Sequence, residues 1–175
     1  MSDGAWIMGN PPRRIPRDAC AGSECETEGV CLMRGYAAIG LYAPKIESNV
    51  GGALRASHCY GASMIAIEGA RYRNQITNTT KAERHIPMIH GPLTDIRPFD
   101  CPMVVVELVD SAVSLVDFRH PERAFYVFGP EDGSVPSHIV AAAQYVVMVP
   151  TAYCMNLAAT VNVVLYDRIV KSGGV

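Results

Sequence analysis

The sequence lacks the features that mark several large classes of protein. Its 175 residues include a single Trp, and aromatic residues make up only 7% of the chain. Charge is sparse and nearly balanced, since 15 Lys and Arg face 17 Asp and Glu for a formal net charge of -2. Without a positive excess, no global field draws in nucleic acid, so any polyanion site has to be a local basic patch.

Long apolar runs are also missing. No segment approaches the roughly 20 apolar residues that a membrane helix needs. The first residues, "MSDGAWIMGNPPRRIPRD", lack the basic-then-apolar order of a signal peptide. These absences predict a cytoplasmic protein with no membrane partner.

The cysteines show neither a disulfide framework nor a metal-site spacing. The six cysteines are Cys20, Cys25, Cys31, Cys59, Cys101 and Cys154. They are scattered along a chain large enough to fold without disulfides, which favours reduced thiols. The first three are separated by four and five residues, with no C-x-x-C, and the histidines lack the i, i+4 spacing of a helical metal pair. We therefore predict no metal. The usual nucleotide-binding loops and the G-x-S-x-G nucleophile elbow are absent too.

What the sequence does contain is a regular alternation of short apolar runs and helical segments. Strands are predicted at "YAAIGLYA", "SMIAIEG", "PMVVVELV", "AFYVF" and "YVVMVP", and helices at "SAVSLVDF", "PSHIVAAA" and from Asn156 onward, with Asn156 as N-cap. The segment "PKIESNVGGALRASHCYGA" predicts a loop that enters a helix capped by Ser48 or Asn49. This pattern predicts an α/β domain with a mainly parallel sheet over residues 36–175. Residues 1–35, rich in Pro and Gly, predict an irregular arm.

Three loops follow predicted strands, at residues 108–111, 129–135 and 150–156. Ligands of parallel sheets bind at the carboxyl ends of the strands, so these loops are candidates for a binding site. The loop "FGPEDGSVP" carries two glycines and two acids, and "VPTAYCMNL" carries a proline and Asn156. A segment outside these three loops, "SNVGGALRA", places Asn49 before a glycine pair and Arg55 in the following helix, and it forms a set of three with "FGPEDGSVP" and "VPTAYCMNL". Taken singly, each is explained equally well by a turn or a helix cap.

In this order and spacing the three segments resemble the motifs of the SPOUT methyltransferases, in their TrmH (SpoU) class of RNA ribose 2'-O-methyltransferases. The first motif resembles residues 49–56, the second Gly129, Pro130, Glu131 and Gly133, and the third residues 150–156. The resemblance covers residues 37–170, and the small single-domain tRNA wobble-position enzymes are the most similar. It implies an α/β fold with helices on both faces of the sheet, a C-terminal trefoil knot and a homodimer.

The resemblance also implies S-adenosylmethionine as cofactor and assigns site residues. It places the cofactor at Leu108, Gly129, Glu131, Gly133, Val149, Cys154, Met155, Asn156 and Leu157. It assigns catalysis to Arg55, Asn49 and Glu131. A guanidinium stays protonated, so we expect Arg55 to grip a phosphate and not to act as a base. The family commonly has serine at position 154, and Cys154 replaces that hydroxyl with a weaker donor.

A polar stretch over residues 70–100 predicts the RNA surface. The basic residues assigned to this surface are Arg71, Arg73, Lys81 and Arg84, and Arg97 follows them in the same stretch. Charged runs of this kind are otherwise solvated faces. We expect RNA as substrate, with tRNA favoured over rRNA. Two alternatives remain open at this stage: an rRNA 2'-O-methyltransferase, and a SPOUT-like module that binds cofactor or RNA without catalysis.

Overall fold

The computed structural model describes residues 35–72 and 84–173. The predicted arm, apart from Gly35, lies outside these residues, as do Arg73 and Lys81. The strands within the described part are β1 (Tyr36–Tyr42), β2 (Met64–Glu68), β3 (Met88–His90), β4 (Met103–Val106), β5 (Val113–Ser114), β6 (Arg123–Phe128) and β7 (Tyr145–Met148). The helices are α1 (Glu47–Cys59), α2 (Leu93–Ile96), α3 (Ser137–Ala142) and α4 (Leu157–Lys171).

The seven strands form one sheet in the order β3-β2-β1-β6-β4-β7-β5. Every neighbouring pair is parallel, as in the pairing of Ile39 with Ile65 on one side and with Tyr126 on the other. The predicted α/β class and parallel sheet are confirmed. The trefoil knot stays a prediction from the resemblance.

Alternate residues of the strands pack into two separate cores, because successive side chains of a strand point to opposite faces. On one face Ile39 and Leu41 of β1 pack with Val50 of α1 and Val161 of α4. On the other face Ala38 belongs to a cluster that includes residues of α2 and α3. Helices therefore cover both faces, and most strand residues are buried, which explains the near-continuous apolar runs in the sequence.

Three short elements differ from the sequence prediction. The predicted helix "SAVSLVDF" is wrong: Val113 and Ser114 pair with β7 as edge strand β5, and a turn follows. Leu115 donates its backbone N–H to Met148 across the same edge, which holds the segment extended where isolated periodicity would favour a helix. Strand β3 and helix α2 were not predicted, since three or four residues are too few to show a period.

The helix caps are partly as predicted. Asn156 is the N-cap of α4, and its side-chain carbonyl accepts hydrogen bonds from the N–H groups of Ala158 and Ala159 at 2.9 and 3.3 Å. The predicted cap of α1 at Ser48 or Asn49 is wrong. That helix begins at Glu47, with Ile46 as N-cap and no side-chain hydrogen bond from the cap residue. Asn49 lies within the first turn of α1 and is buried.

A largely buried polar cluster joins the carboxyl end of α4 to β6 near the amino ends of the central strands, away from the three loops. His120 contacts the Tyr126 hydroxyl at 2.6 Å and Asp167 at 2.8 Å, and Lys171 pairs with Asp167 at 2.8 Å. Burial lowers the pKa of His120, although Asp167 opposes this, and burial raises the pKa of Tyr126 to about 12. A neutral ring that donates to Asp167 and accepts from Tyr126 satisfies both contacts. The nearly buried guanidinium of Arg168 donates to the Tyr126 hydroxyl and to the carbonyls of Tyr36, Pro121 and Glu122.

Candidate active site

An open cavity lies at the carboxyl ends of β4, β6 and β7, where the three predicted loops meet. Its walls are formed by Val106, Glu107, Leu108, Phe128, Gly129, Pro130, Glu131, Gly133, Met148, Val149, Thr151, Cys154, Met155, Leu157 and Thr160. The set contains every residue that the resemblance assigned to the cofactor except Asn156. The topology brings these loops together because parallel strands end at the same edge of the sheet.

A chain of hydrogen bonds links the three motif segments beside this cavity. The Asn49 side-chain N–H donates to Glu131 Oε1 at 2.7 Å. The Asn156 side-chain N–H in turn donates to Asn49 Oδ1 at 2.7 Å. Since the carbonyl of Asn156 is taken by its cap contacts, each amide group has one orientation that satisfies all partners. Asn49, which is 6% exposed, is therefore the central member of a fixed polar junction.

Glu131 directs its carboxylate at the start of α1. Besides Asn49, it accepts from the backbone N–H of Lys45 at 2.9 Å and of Ile46 at 3.3 Å. Burial alone would raise the pKa of Glu131, but these hydrogen bonds together lower it below its usual value. A carboxylate from a distant segment thus satisfies donors at the amino end of the helix, where negative charge is favourable.

The glycines of the motif segments differ in how closely their surroundings pack against them. A Cβ atom built on Gly52 of α1 would lie 2.7 Å from the Cβ of Ala158 in α4, which is too close for two carbon atoms. Gly129 is also confined, since its Cβ would lie 3.1 Å from a methyl group of Val135, whereas a Cβ on Gly133 would make an ordinary contact with Pro130 at 3.5 Å. Glycine is therefore required by internal packing at position 52, favoured by it at 129, and not required by it at 133.

The predicted basic residues that the structure describes, Arg55, Arg71 and Arg84, lie outside the cavity lining. Arg55 is exposed on α1, and Arg84 is exposed just after the gap in the described residues. Arg71 is exposed too, and its guanidinium forms a two-pronged pair with Asp132 at 2.5 and 3.2 Å. Lys45 contacts the same carboxylate at 3.0 Å. The hydrogen bonds from Arg71 and Lys45 hold the pKa of Asp132 well below its usual range.

Glu107 is a wall residue that the sequence interpretation missed. It follows β4 directly, accepts the Val135 N–H at Oε2 and the Leu108 N–H at Oε1, and lines the cavity. One signal was available in the sequence: an acid that interrupts the apolar run "PMVVVELV" at the end of a buried strand. Such an interruption marks a polar group at the ligand-binding edge of a parallel sheet.

The described residues offer neither a metal centre nor a membrane span. Among residues 35–72 and 84–173, no three His, Cys, Asp or Glu side chains lie close enough to hold a metal ion. No helix in that same part of the chain is both long enough and apolar enough to span a membrane. Cys59 and Cys154 are exposed and Cys101 is buried, all as free thiols.

Comparison with protein-family models identifies the family of this chain. The model of the SpoU rRNA Methylase family matches residues 36–166, which are 131 of the 175 residues. The chain belongs to the SpoU family. Enzymes of the SpoU family use S-adenosylmethionine as their methyl donor. A comparison with curated proteins gave no match.

Solved structures of SpoU proteins share this fold. The AdoMet-bound rRNA methyltransferase from Sinorhizobium meliloti has a TM-score of 0.69 at 19% identity, covering 78% of this chain and 57% of its own. The TrmH/SpoU tRNA modifying enzyme from A. aeolicus has a TM-score of 0.69 at 15% identity, covering 82% and 79%. A structure concerned with the 2-OH methylation of C/U34 on tRNA has a TM-score of 0.67 at 18% identity, covering 81% and 99%. The present chain thus spans less than two thirds of the S. meliloti protein.

The cavity has the chemistry that S-adenosylmethionine requires. Leu108, Val149 and Leu157 supply apolar walls of the kind that suits a flat adenine ring. Glu107 adds a carboxylate that can accept hydrogen bonds, and Thr151 and Thr160 add hydroxyl groups. The residues present therefore fit the cofactor of the SpoU family.

Proposed function

We propose that this SpoU protein transfers the methyl group of S-adenosylmethionine to the 2'-hydroxyl of a ribose in RNA, with tRNA favoured over rRNA. The observation that carries the proposal is the hydrogen-bonded junction of Asn49, Glu131 and Asn156, which joins the three family motifs beside one cavity. The preference for tRNA is supported by the C/U34 structure, 99% of which this chain covers.

In this mechanism the chain positions the two reactants. When bound, S-adenosylmethionine supplies a methyl group activated on a sulfonium. The apolar residues Leu108, Val149 and Leu157 would hold the adenine, and backbone groups near Gly129 and Met155 would hold the remainder. Alignment is the largest contribution open to the protein, because a well-oriented pair gains on the order of 7–11 kcal/mol over free encounter.

Arg55 would grip the phosphate next to the target ribose. A guanidinium fork forms paired, charge-assisted hydrogen bonds with phosphate, and the exposed position of Arg55 on α1 leaves it accessible to RNA. The ribose proton would pass to water or to that phosphate, since Arg55 stays protonated. Asn49 and Glu131 would act as positioning residues, because their hydrogen bonds fix the start of the helix that carries Arg55.

We further propose a homodimer and a knotted C-terminal segment, as the resemblance implies. The exposed face of α4 supports the dimer, since Tyr166 and Val170 are 56% and 49% exposed there. Sedimentation of the purified protein should give twice the mass of one chain. A monomer at micromolar concentration would contradict the dimer without affecting the proposed reaction.

The proposed reaction is tested by mapping 2'-O-methylation in RNA from cells with and without the gene. We expect one tRNA ribose to lose its methyl group when the gene is deleted and to regain it when the purified protein and S-adenosylmethionine are added. A lost methyl group in rRNA would establish the rRNA alternative. Cofactor binding without any methyl transfer to RNA would establish a non-catalytic module.

The role of Arg55 is tested by the conservative change Arg55→Lys. A lysine keeps the charge but loses the fork, and charged hydrogen bonds contribute about 1.5–3 kcal/mol, so turnover should fall by about tenfold or more. Arg119→Lys, at an exposed site near the buried polar cluster, is the matched control. Near-normal turnover of the Arg55→Lys protein would refute the phosphate grip.

A further inference from the structure

The cavity contains two carboxylates that differ in how many of their acceptor positions are used. Glu131 accepts three hydrogen bonds from Lys45, Ile46 and Asn49, all directed at α1. Glu107 accepts one backbone N–H at each oxygen, from Leu108 at 3.0 Å and from Val135 at 2.8 Å. A carboxylate has about four lone-pair positions, so two of them remain on Glu107 for groups in the cavity.

The two backbone contacts also fix the direction of the Glu107 carboxylate. Leu108 continues from β4 and Val135 ends the loop after β6, so the side chain, which lines the cavity, joins the segments that follow two neighbouring strands. A Cβ built on Gly129 would lie 3.5 Å from Glu107 Oε2, which places this oxygen directly beside the backbone of that loop. A group held in this way presents its two oxygens to a ligand with little loss of side-chain entropy.

We infer that Glu107 is a specificity residue for the cofactor, its two carboxylate oxygens accepting hydrogen bonds from the two neighbouring hydroxyls of the cofactor's ribose. This inference rests on the proposed function, because it assumes that the cavity binds S-adenosylmethionine. A vicinal diol offers two donors side by side, which matches the two oxygens of a carboxylate. Acidic side chains at the carboxyl ends of parallel strands bind ribose hydroxyls in the same way in dinucleotide-binding sheets.

The sulfonium and the ammonium of the cofactor are the competing partners for a negative charge. A carboxylate beside the sulfonium would stabilise the positive charge of the ground state, and that charge disperses as the methyl group leaves. Such a contact would bind the cofactor more tightly than the transition state and would slow the transfer. The ribose diol carries no charge that changes during the reaction, so Glu107 can bind it at no cost to the rate.

The test is a binding experiment that needs no enzyme turnover. Isothermal calorimetry would measure the dissociation constants of 5'-methylthioadenosine and of its 2',3'-dideoxy analogue for the wild type and for Glu107→Gln. The wild type should prefer the diol ligand by about tenfold or more, the effect expected of hydrogen bonds to a charged group. The variant should lose most of this preference while its affinity for the dideoxy ligand is unchanged. Asp110→Asn, an exposed acid in the same loop and outside the cavity wall, should retain it.

The other outcomes separate the possible failures. If Glu107→Gln weakens both ligands equally, the residue only braces the loop and the inference fails while cofactor binding stands. If the variant binds S-adenosylmethionine more weakly but binds S-adenosylhomocysteine, whose sulfur carries no charge, as well as the wild type does, the carboxylate contacts the sulfonium and the inference fails. If the wild type binds neither adenosine ligand nor S-adenosylmethionine, the inference and the proposed function fail together.

Discussion

The side-chain amide of Asn156 donates a 2.7 Å hydrogen bond to the side-chain carbonyl of Asn49, although 107 residues separate the two in the chain. Asn49 passes the connection on to Glu131, so one buried side chain of α1 holds both the start of α4 and the loop after β6. Because both hydrogen bonds lie in partly buried surroundings, removal of any member leaves polar groups of the others without their partners.

We therefore expect Asn49→Ala to lower the free energy of unfolding by about 1–3 kcal/mol, the cost of leaving buried polar groups unsatisfied. Asn156→Ala should cost a similar amount, of which about 1 kcal/mol is the lost helix cap. Urea unfolding of the two single variants and the double variant would give their coupling. We expect about 0.5 kcal/mol or more, as for residues in one network. Strictly additive losses would show that the Asn49–Asn156 contact contributes nothing.

The lowered pKa of Glu131 predicts that the free energy of unfolding decreases in acid. Its pKa in the folded protein lies below the unfolded value of about 4.3. Its stabilising contribution is therefore complete above that unfolded value and is lost as the pH falls through the folded value. Urea unfolding between pH 6 and pH 3 should show a steeper loss for the wild type than for Glu131→Gln.

The pKa of Asp132 is lowered as well, by Arg71 first and then by Lys45. Asp132 therefore also contributes to the loss of stability in acid, and the urea unfolding experiment has to be repeated without its carboxylate. Repeating it in an Asp132→Asn protein removes that carboxylate from the comparison. Identical acid profiles with and without Glu131→Gln in this background would contradict the role given to Glu131.

Gly52→Ala should destabilise the packing of α1 on α4. Alanine improves helix propensity by about 1 kcal/mol, but forcing two Cβ atoms to 2.7 Å costs typically about 1–3 kcal/mol, so the clash should prevail. Thermal unfolding would measure the difference. Adding Ala158→Gly restores the space, and the double variant should be more stable than the sum of the two single changes predicts. A Gly52→Ala protein more stable than the wild type would show that the helices can separate freely.

The pairing of Arg71 with Asp132 predicts that removing the Asp132 carboxylate increases the affinity for RNA. If Arg71 and Lys45 contact phosphates, Asp132 competes with the RNA for both cations. Asp132→Asn should then strengthen RNA binding at low salt, whereas Arg71→Ala should weaken it and reduce the slope of log affinity against log salt by about one. Filter binding from low to moderate salt would measure both. Equal affinity in all three proteins would remove Arg71 from the RNA surface.

The sequence predicted the parallel sheet, most of its strands and the three loops that surround the cavity. These features depend on local patterns: buried runs such as "AFYVF", and the break in pattern at Gly129 and Pro130 where the strand ends. Asn156 was also predicted as a helix cap, because a cap is read from the residues that follow it.

The errors came from interactions between distant segments. The start of α1 was placed at Ser48 or Asn49 because each is a good local cap, whereas Glu131 supplies the acceptor from 85 residues away. The segment at Val113 was predicted as a helix, but pairing with β7 decides its conformation. Glu107 was overlooked although its acid interrupts an apolar run, because only the strand order places the end of that run at the cavity.

The buried cluster of His120, Tyr126, Asp167, Arg168 and Lys171 also affects how α4 can move. Its carboxyl end is held by hydrogen bonds and an ion pair among these five ionisable side chains, and a shift of this end would break several of these contacts at once. Its amino end is joined to α1 by the hydrogen bond from Asn156 to Asn49 and by the close approach of Ala158 to Gly52. We therefore expect any adjustment of α4 to a ligand in the cavity to take place in its first turns.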